Sequence, residues 1–182
     1  MLDAAMQRFW AHGYESTSVK DLVETTGISS ASLYNAYGNK RAIFGVAFEH
    51  YVKKSFVERL ARCEKLAPRE AIKAFFDDIL WRSINDPEHK GCMVVNAAME
   101  LATHDRAVGK AVAKVLRRLE AFFRTCVERG QAEGTITRSR PAATMAQHLL
   151  SVLMGVRVLA RVRPERPLLE GVIATALASL DP

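Results

Sequence analysis

Helical periodicity runs through almost the whole 182-residue sequence, and no segment alternates apolar and polar residues at period two. Leu2, Ala5, Met6, Phe9 and Trp10 fall at the three-and-four spacing of one helix face, and Gly13 closes that helix. A short helix follows, with Thr17 as N-cap and Gly27 as stop. Another runs from Ser30 to about Tyr37, capped by Ser29 and ended by Gly38. Asn39 caps a fourth helix whose apolar stripe runs Ile43, Phe44, Ala47, Phe48, Tyr51, Val52, Phe56 and Leu60. Pro68 then opens a helix carrying Ile72, Phe75, Phe76, Ile79 and Leu80. Residues 91–101 form a short apolar helix, and Asp105 starts a long one. Ser139 with Pro141 begins the next, through about Val162, and Pro164 or Pro167 opens the last, ending near Leu180. The fold class is all-α, with about nine helices.

Composition agrees with this plan and narrows the setting. Ten Gly and six Pro are too few for a turn-rich all-β chain. No stretch reaches the roughly 18 uninterrupted apolar residues of a membrane span. The best candidate, residues 149–158, is broken by Arg157. No basic segment followed by an apolar one opens the chain. Cys63, Cys92 and Cys126 stand far apart and are odd in number, which excludes a disulfide framework and points to a reducing cytoplasm. The net charge of +6 fits a polyanionic partner. It is spread along the chain with no basic tail, so a nucleic-acid site has to be a shaped local surface.

Catalytic constellations are missing from the sequence. His12, His50, His89, His104 and His148 show no metal-binding pair, and no phosphate-cradling or nucleophile-elbow motif is present. Asp77 and Asp78 are adjacent on a helix, so they point about 100° apart and cannot share a site. The expectation is a protein with no catalytic residues, no metal and no cofactor.

The strongest motif lies between Thr17 and Lys40. Two short helices meet at the turn Thr26-Gly27-Ile28, with Val19, Leu22, Val23, Ile28 and Leu33 packed between them. Such a helix-turn-helix leaves Ser29, Ser30, Ala31, Ser32 and Asn35 outside. They are small and polar enough to enter a major groove and reach base edges or phosphates. Lys40 sits in the first turn of the fourth helix, where the positive helix end and the ammonium form a phosphate clamp.

The run Leu2-Asp3-Ala4-Ala5 to Phe9, then Gly13-Tyr14-Glu15-Ser16-Thr17-Ser18-Val19, Gly27-Ile28-Ser29, Ser32-Leu33-Tyr34 and Tyr37-Gly38-Asn39-Lys40, resembles the N-terminal module of the TetR family of transcriptional regulators. The resemblance implies a DNA-binding domain at residues 1–47 and a helical ligand-binding and dimerisation domain at 48–182. It implies DNA contacts among Thr17, Ser29, Ser30, Ala31, Ser32, Tyr34, Asn35, Tyr37 and Lys40. Tyr34 and Lys40 would hold phosphates, and Tyr37 would lock the recognition helix to the module. The short basic segment that usually precedes the first helix in that family is not seen before Leu2-Asp3, being either absent or lost ahead of Met1, and a lower DNA affinity than the fold alone implies is expected.

The resulting expectation is a cytoplasmic, homodimeric, ligand-responsive repressor on a pseudo-palindromic double-stranded operator. The expected effector is a small apolar or aromatic molecule held by Phe48, Val52, Phe75, Phe76, Ile79, Cys92, Asn96, Met99, Val115, Leu119 and Phe122, with Asn96 and Glu100 as polar anchors one turn apart. The expected dimer interface uses Leu149, Val152, Leu153, Val156, Val172, Ile173, Ala176, Leu177 and Leu180. Two alternatives stand beside it: a helical small-molecule binder without operator binding, and a sensor of thiol-reactive compounds acting through Cys92, near a helix N-terminus.

Overall fold

A computed structural model describes all of residues 1–182. The chain is helical throughout: α1 (Leu2–His12), α2 (Val19–Thr26), α3 (Ser30–Tyr37), α4 (Lys40–Val52), α5 (Glu58–Cys63), α6 (Pro68–Ile84), α7 (Met93–Glu100), α8 (Arg106–Glu133), α9 (Ala142–Val162) and α10 (Arg166–Ala178). A single π-helical turn, Lys53–Val57, joins α4 to α5. With α4, the π turn and α5 counted as one continuous helical segment of the chain, the helices number nine, against about nine expected from the periodicity. Two compact units result: residues 1–57 with 92–112, and residues 58–91 with 113–182.

Local chemistry sets the boundaries of the first four helices. Ser18, not Thr17, caps α2, because its hydroxyl accepts the Asp21 amide while Asp21 accepts the Ser18 amide in a capping box. Thr17 is drawn inward, and its hydroxyl donates to the Gly13 carbonyl at 2.7 Å. Gly27 ends α2 at φ +70°, the left-handed conformation that glycine adopts without strain. Ser29 and Asn39 cap α3 and α4 through the amides of Ser32 and Ala42. Aromatic packing closes the core of this unit. Phe9 meets Phe44 edge-on at 5.2 Å, Tyr14 meets Phe44 at 5.3 Å, and Trp10 meets Tyr51 at 5.0 Å. Helix α7 packs on α1 and α4, so the unit built around α1–α4 also includes α7 and the start of α8.

In the second unit α6, α9 and α10 pack on one another. The rings of Phe75, Phe76, Phe122 and Phe123 form one cluster with centroid separations of 5.3–6.0 Å. Buried Arg59 pairs with Asp78 and lies over the Phe75 ring. Burial pushes the Asp78 carboxyl up, but Arg59 and Arg82 outweigh it and hold the carboxyl below its usual range. One correction falls on α9. At 21 residues it is long and apolar enough, by length and composition, to cross a membrane. Its face carrying Met145, Ala146, Leu149, Leu153, Val156 and Ala160 is buried in this unit. Arg157, also buried, donates to Ser83 and to the Gly91 carbonyl.

Candidate nucleic-acid interface

Helix α3 presents one buried residue, Leu33, and leaves Ser29, Ser30, Ala31, Ser32, Tyr34 and Asn35 exposed. The structure therefore brings six of the nine DNA-contact candidates onto one open surface. Tyr37 is half-buried. Thr17 is not available: it is fully buried beneath the α1–α2 loop, because its hydroxyl satisfies the Gly13 carbonyl. Lys40 is half-buried and already engaged. Its Nζ donates to the Tyr14 carbonyl at 2.9 Å and stands 4.2 Å from the Tyr14 ring centroid. Pulling the ammonium onto a phosphate would cost this contact.

Around α3 the module is tied down by carboxylates. Asp105 caps α8 by accepting the amides of Ala107 and Val108 at 2.9 and 3.1 Å, and it pairs with Arg41 in the first turn of α4. The Arg41 bond, helped by the Val108 amide, holds its carboxyl far below the usual range. Asp3 is lowered by Lys54 and His50, and Asp21 by its bonds with Ser18. Carboxylates depressed in the folded state contribute stability above the ordinary value of about 3.9 and lose it as pH falls through their folded values. The first unit is therefore expected to melt earlier below about pH 4. Asp105→Asn should lower the melting temperature at pH 7, by an amount that shrinks below about pH 4 but stays appreciable at pH 3, where the folded carboxylate is still ionised; a loss that grows as pH falls would contradict the assignment.

The expected effector residues divide between the units. Phe48, Val52, Cys92, Asn96 and Met99 lie in the first unit, and Phe75, Phe76, Ile79, Val115, Leu119 and Phe122 in the second. Met99 points outward and is 81% exposed. Cys92 is 2% exposed and takes a 3.7 Å contact from the Tyr51 hydroxyl. Glu100 turns to the α1–α2 loop and not to Asn96 for a shared ligand. Phe75 and Phe76 pack on other rings instead of lining open space. Phe122 borders a groove of about 350 Å³ between α5 and α8, lined also by Leu60, Glu64, Arg118, Ala121, Thr125, Cys126 and Arg129.

The expected dimer residues divide by burial. Leu149, Leu153, Val156, Ile173, Ala176 and Leu180 are buried within the single chain, because the apolar stripes of α9 and α10 pack inward. Val152, Val172 and Leu177 are half-buried. The outward stripes are Thr144, His148, Ser151, Gly155, Val158 and Val162 on α9, and Gly171, Ala174 and Ala178 on α10.

Comparison with known proteins agrees with this architecture. The family model for bacterial regulatory proteins of the tetR family matches residues 1–47, and that for the tetracyclin repressor-like C-terminal domain matches residues 68–176. The HTH-type transcriptional regulator YezE of Bacillus subtilis is 28% identical, with 100% of this chain and 94% of that protein aligned. The HTH-type transcriptional repressor ComR of Escherichia coli is 27% identical over 88% of this chain and 77% of its own. A solved structure of the TetR family transcriptional regulator CifR, a cysteine mutant complexed with 26-bp double-strand operator DNA, superposes with a TM-score of 0.87 at 29% identity, covering 98% of this chain and 94% of that one. A helix-turn-helix module joined to a helical C-terminal unit defines a transcriptional regulator. The chain belongs to the TetR family.

Proposed function

We propose that the chain is a homodimeric repressor that reads a pseudo-palindromic operator with α3 and is released by a small apolar or aromatic effector. The observation that carries this reading is the surface of α3, where small polar side chains are exposed between two side-chain-capped helix starts. The operator-bound CifR relative supports the same use of the fold. Dimerisation is assigned to the outward stripes of α9 and α10, whose Gly155, Gly171, Ala174 and Ala178 allow close approach about a two-fold axis. Residues 1–47 carry the DNA contacts, and the effector is assigned to the rest of the chain. The α5–α8 groove suits it, with an apolar floor of Leu60, Phe122 and Cys126 and the arginines Arg118 and Arg129 at its edge. Regulation in the cytoplasm requires no reaction, metal or cofactor from the protein itself. The thiol-sensor reading has less support, since Cys92 is buried.

Substitution on α3 tests the reading. Asn35→Ala should change which base pairs are preferred, at about 1–3 kcal/mol if the amide makes a bidentate contact. Tyr34→Phe should weaken all sequences alike, because a phosphate contact carries no base information. Binding measured on duplexes mutated base pair by base pair separates the two outcomes. A uniform loss for Asn35→Ala would remove it from base readout.

A further inference from the structure

Glu100 ends α7, and the C-terminus of a helix disfavours a carboxylate. Its two oxygens nevertheless accept the amides of Tyr14 and Glu15 in the α1–α2 loop, at 3.0 and 2.8 Å. Gly13, just before them, has φ +83°, and a Cβ there would stand 2.9 Å from Glu100 Oε2, so the loop approaches this carboxylate as closely as a backbone can. Five residues further, Asp105 caps α8 and holds Arg41 at the start of α4. The corner at residues 100–105 thus grips the reading module at two points, one ahead of α2 and one just after α3. Val94 and Ala97 of α7, with Leu101 just after it, add apolar contacts and are buried where α7 packs on α1 and α4. Apolar contact is non-directional and permits rocking, whereas hydrogen bonds to fixed amides set a register. A carboxylate kept where local preference opposes it marks a position held for function.

We propose that Glu100 and Asp105 are positioning residues that fix the pose of the helix-turn-helix on the α7–α8 corner and thereby set which half-site spacing the dimer accepts. The proposal rests on the operator-binding reading above. Neither carboxylate contacts DNA. Both limit how far each reading head can tilt to meet a half-site that is out of place. A head released from the grip reaches misplaced half-sites more easily and pays more orientational entropy on the correct ones.

The test uses the full-length protein and three duplexes: an operator selected by the protein from random DNA, the same operator with one base pair inserted between its half-sites, and a single half-site. Wild type, Glu100→Ala, Asp105→Asn and the double variant are titrated against each. Single-half-site affinity is expected to stay within about twofold of wild type, while the preference for correct over altered spacing falls about tenfold in the double variant, inside the usual range of site–site coupling. Glu100→Gln, which keeps a carbonyl acceptor and the side-chain shape, should restore part of the preference. An unchanged spacing preference in variants whose circular dichroism matches wild type overturns the proposal. So does a half-site affinity that falls in parallel with the full operator. If wild type selects no operator, the repressor reading fails and takes the inference with it.

Discussion

Phe123→Ala is expected to lower the stability of the second unit by about 3–5 kcal/mol. The ring is fully buried and touches three others, at 5.3 Å from Phe75, 5.7 Å from Phe76 and 5.4 Å from Phe122. Its removal forfeits the transfer free energy of the ring and leaves a cavity walled by aromatic groups that collapse poorly. With total stabilities of about 5–15 kcal/mol, a loss of this size is a large share of what holds a domain folded. Phe122→Ala should cost less, because that ring borders the α5–α8 groove and has fewer partner atoms to lose. Urea unfolding followed by circular dichroism measures both. A loss below about 1 kcal/mol for Phe123→Ala, the range of ordinary surface substitutions, would contradict close packing of the cluster.

The second large effect is on binding. Ser32→Glu should abolish specific DNA recognition while leaving the fold intact or slightly more stable. Ser32 occupies the third position of α3 after its cap, Ser29, whose hydroxyl accepts the Ser32 amide at 3.2 Å. A glutamate there completes a capping box with Ser29 and favours the helix N-terminus. On the exposed face of α3 the same carboxylate meets phosphates and base edges. Like-charge juxtaposition costs several kcal/mol, which is about a thousandfold in Kd. Affinity within tenfold of wild type would mean that α3 does not face the DNA.

How much of this was legible in the sequence depended on the range of the interactions involved. The caps at Ser29 and Asn39 and the stops at Gly13, Gly27 and Gly38 are decided within three or four residues, and all fall where local chemistry predicts. The miss at Thr17 is also local. Ser18 and Asp21 form a better cap, and the Gly13 carbonyl claims the threonine. Apolar periodicity identified the packed faces of α9 and α10 but carried no information on what they face. Leu149 and Ile173 are inward, and the outward stripes mix small and polar residues with Val158 and Val162, which such a pattern does not separate from a solvent face. For the effector list, a filled ring cluster and a lined pocket present the same pattern of phenylalanines. The grip of Glu100 on Tyr14 joins residues 86 apart in sequence, and no local signal pairs them.

The central claim is that α3 reads a symmetric operator. Selection from random duplexes, with the wild-type protein and with Ser32→Glu in parallel, addresses it most directly. The account predicts that wild type enriches an inverted repeat whose half-sites lie about one helical turn apart or further, and that Ser32→Glu enriches nothing. Enrichment of no sequence by the folded wild-type protein, or of the same sequence by both, would contradict it.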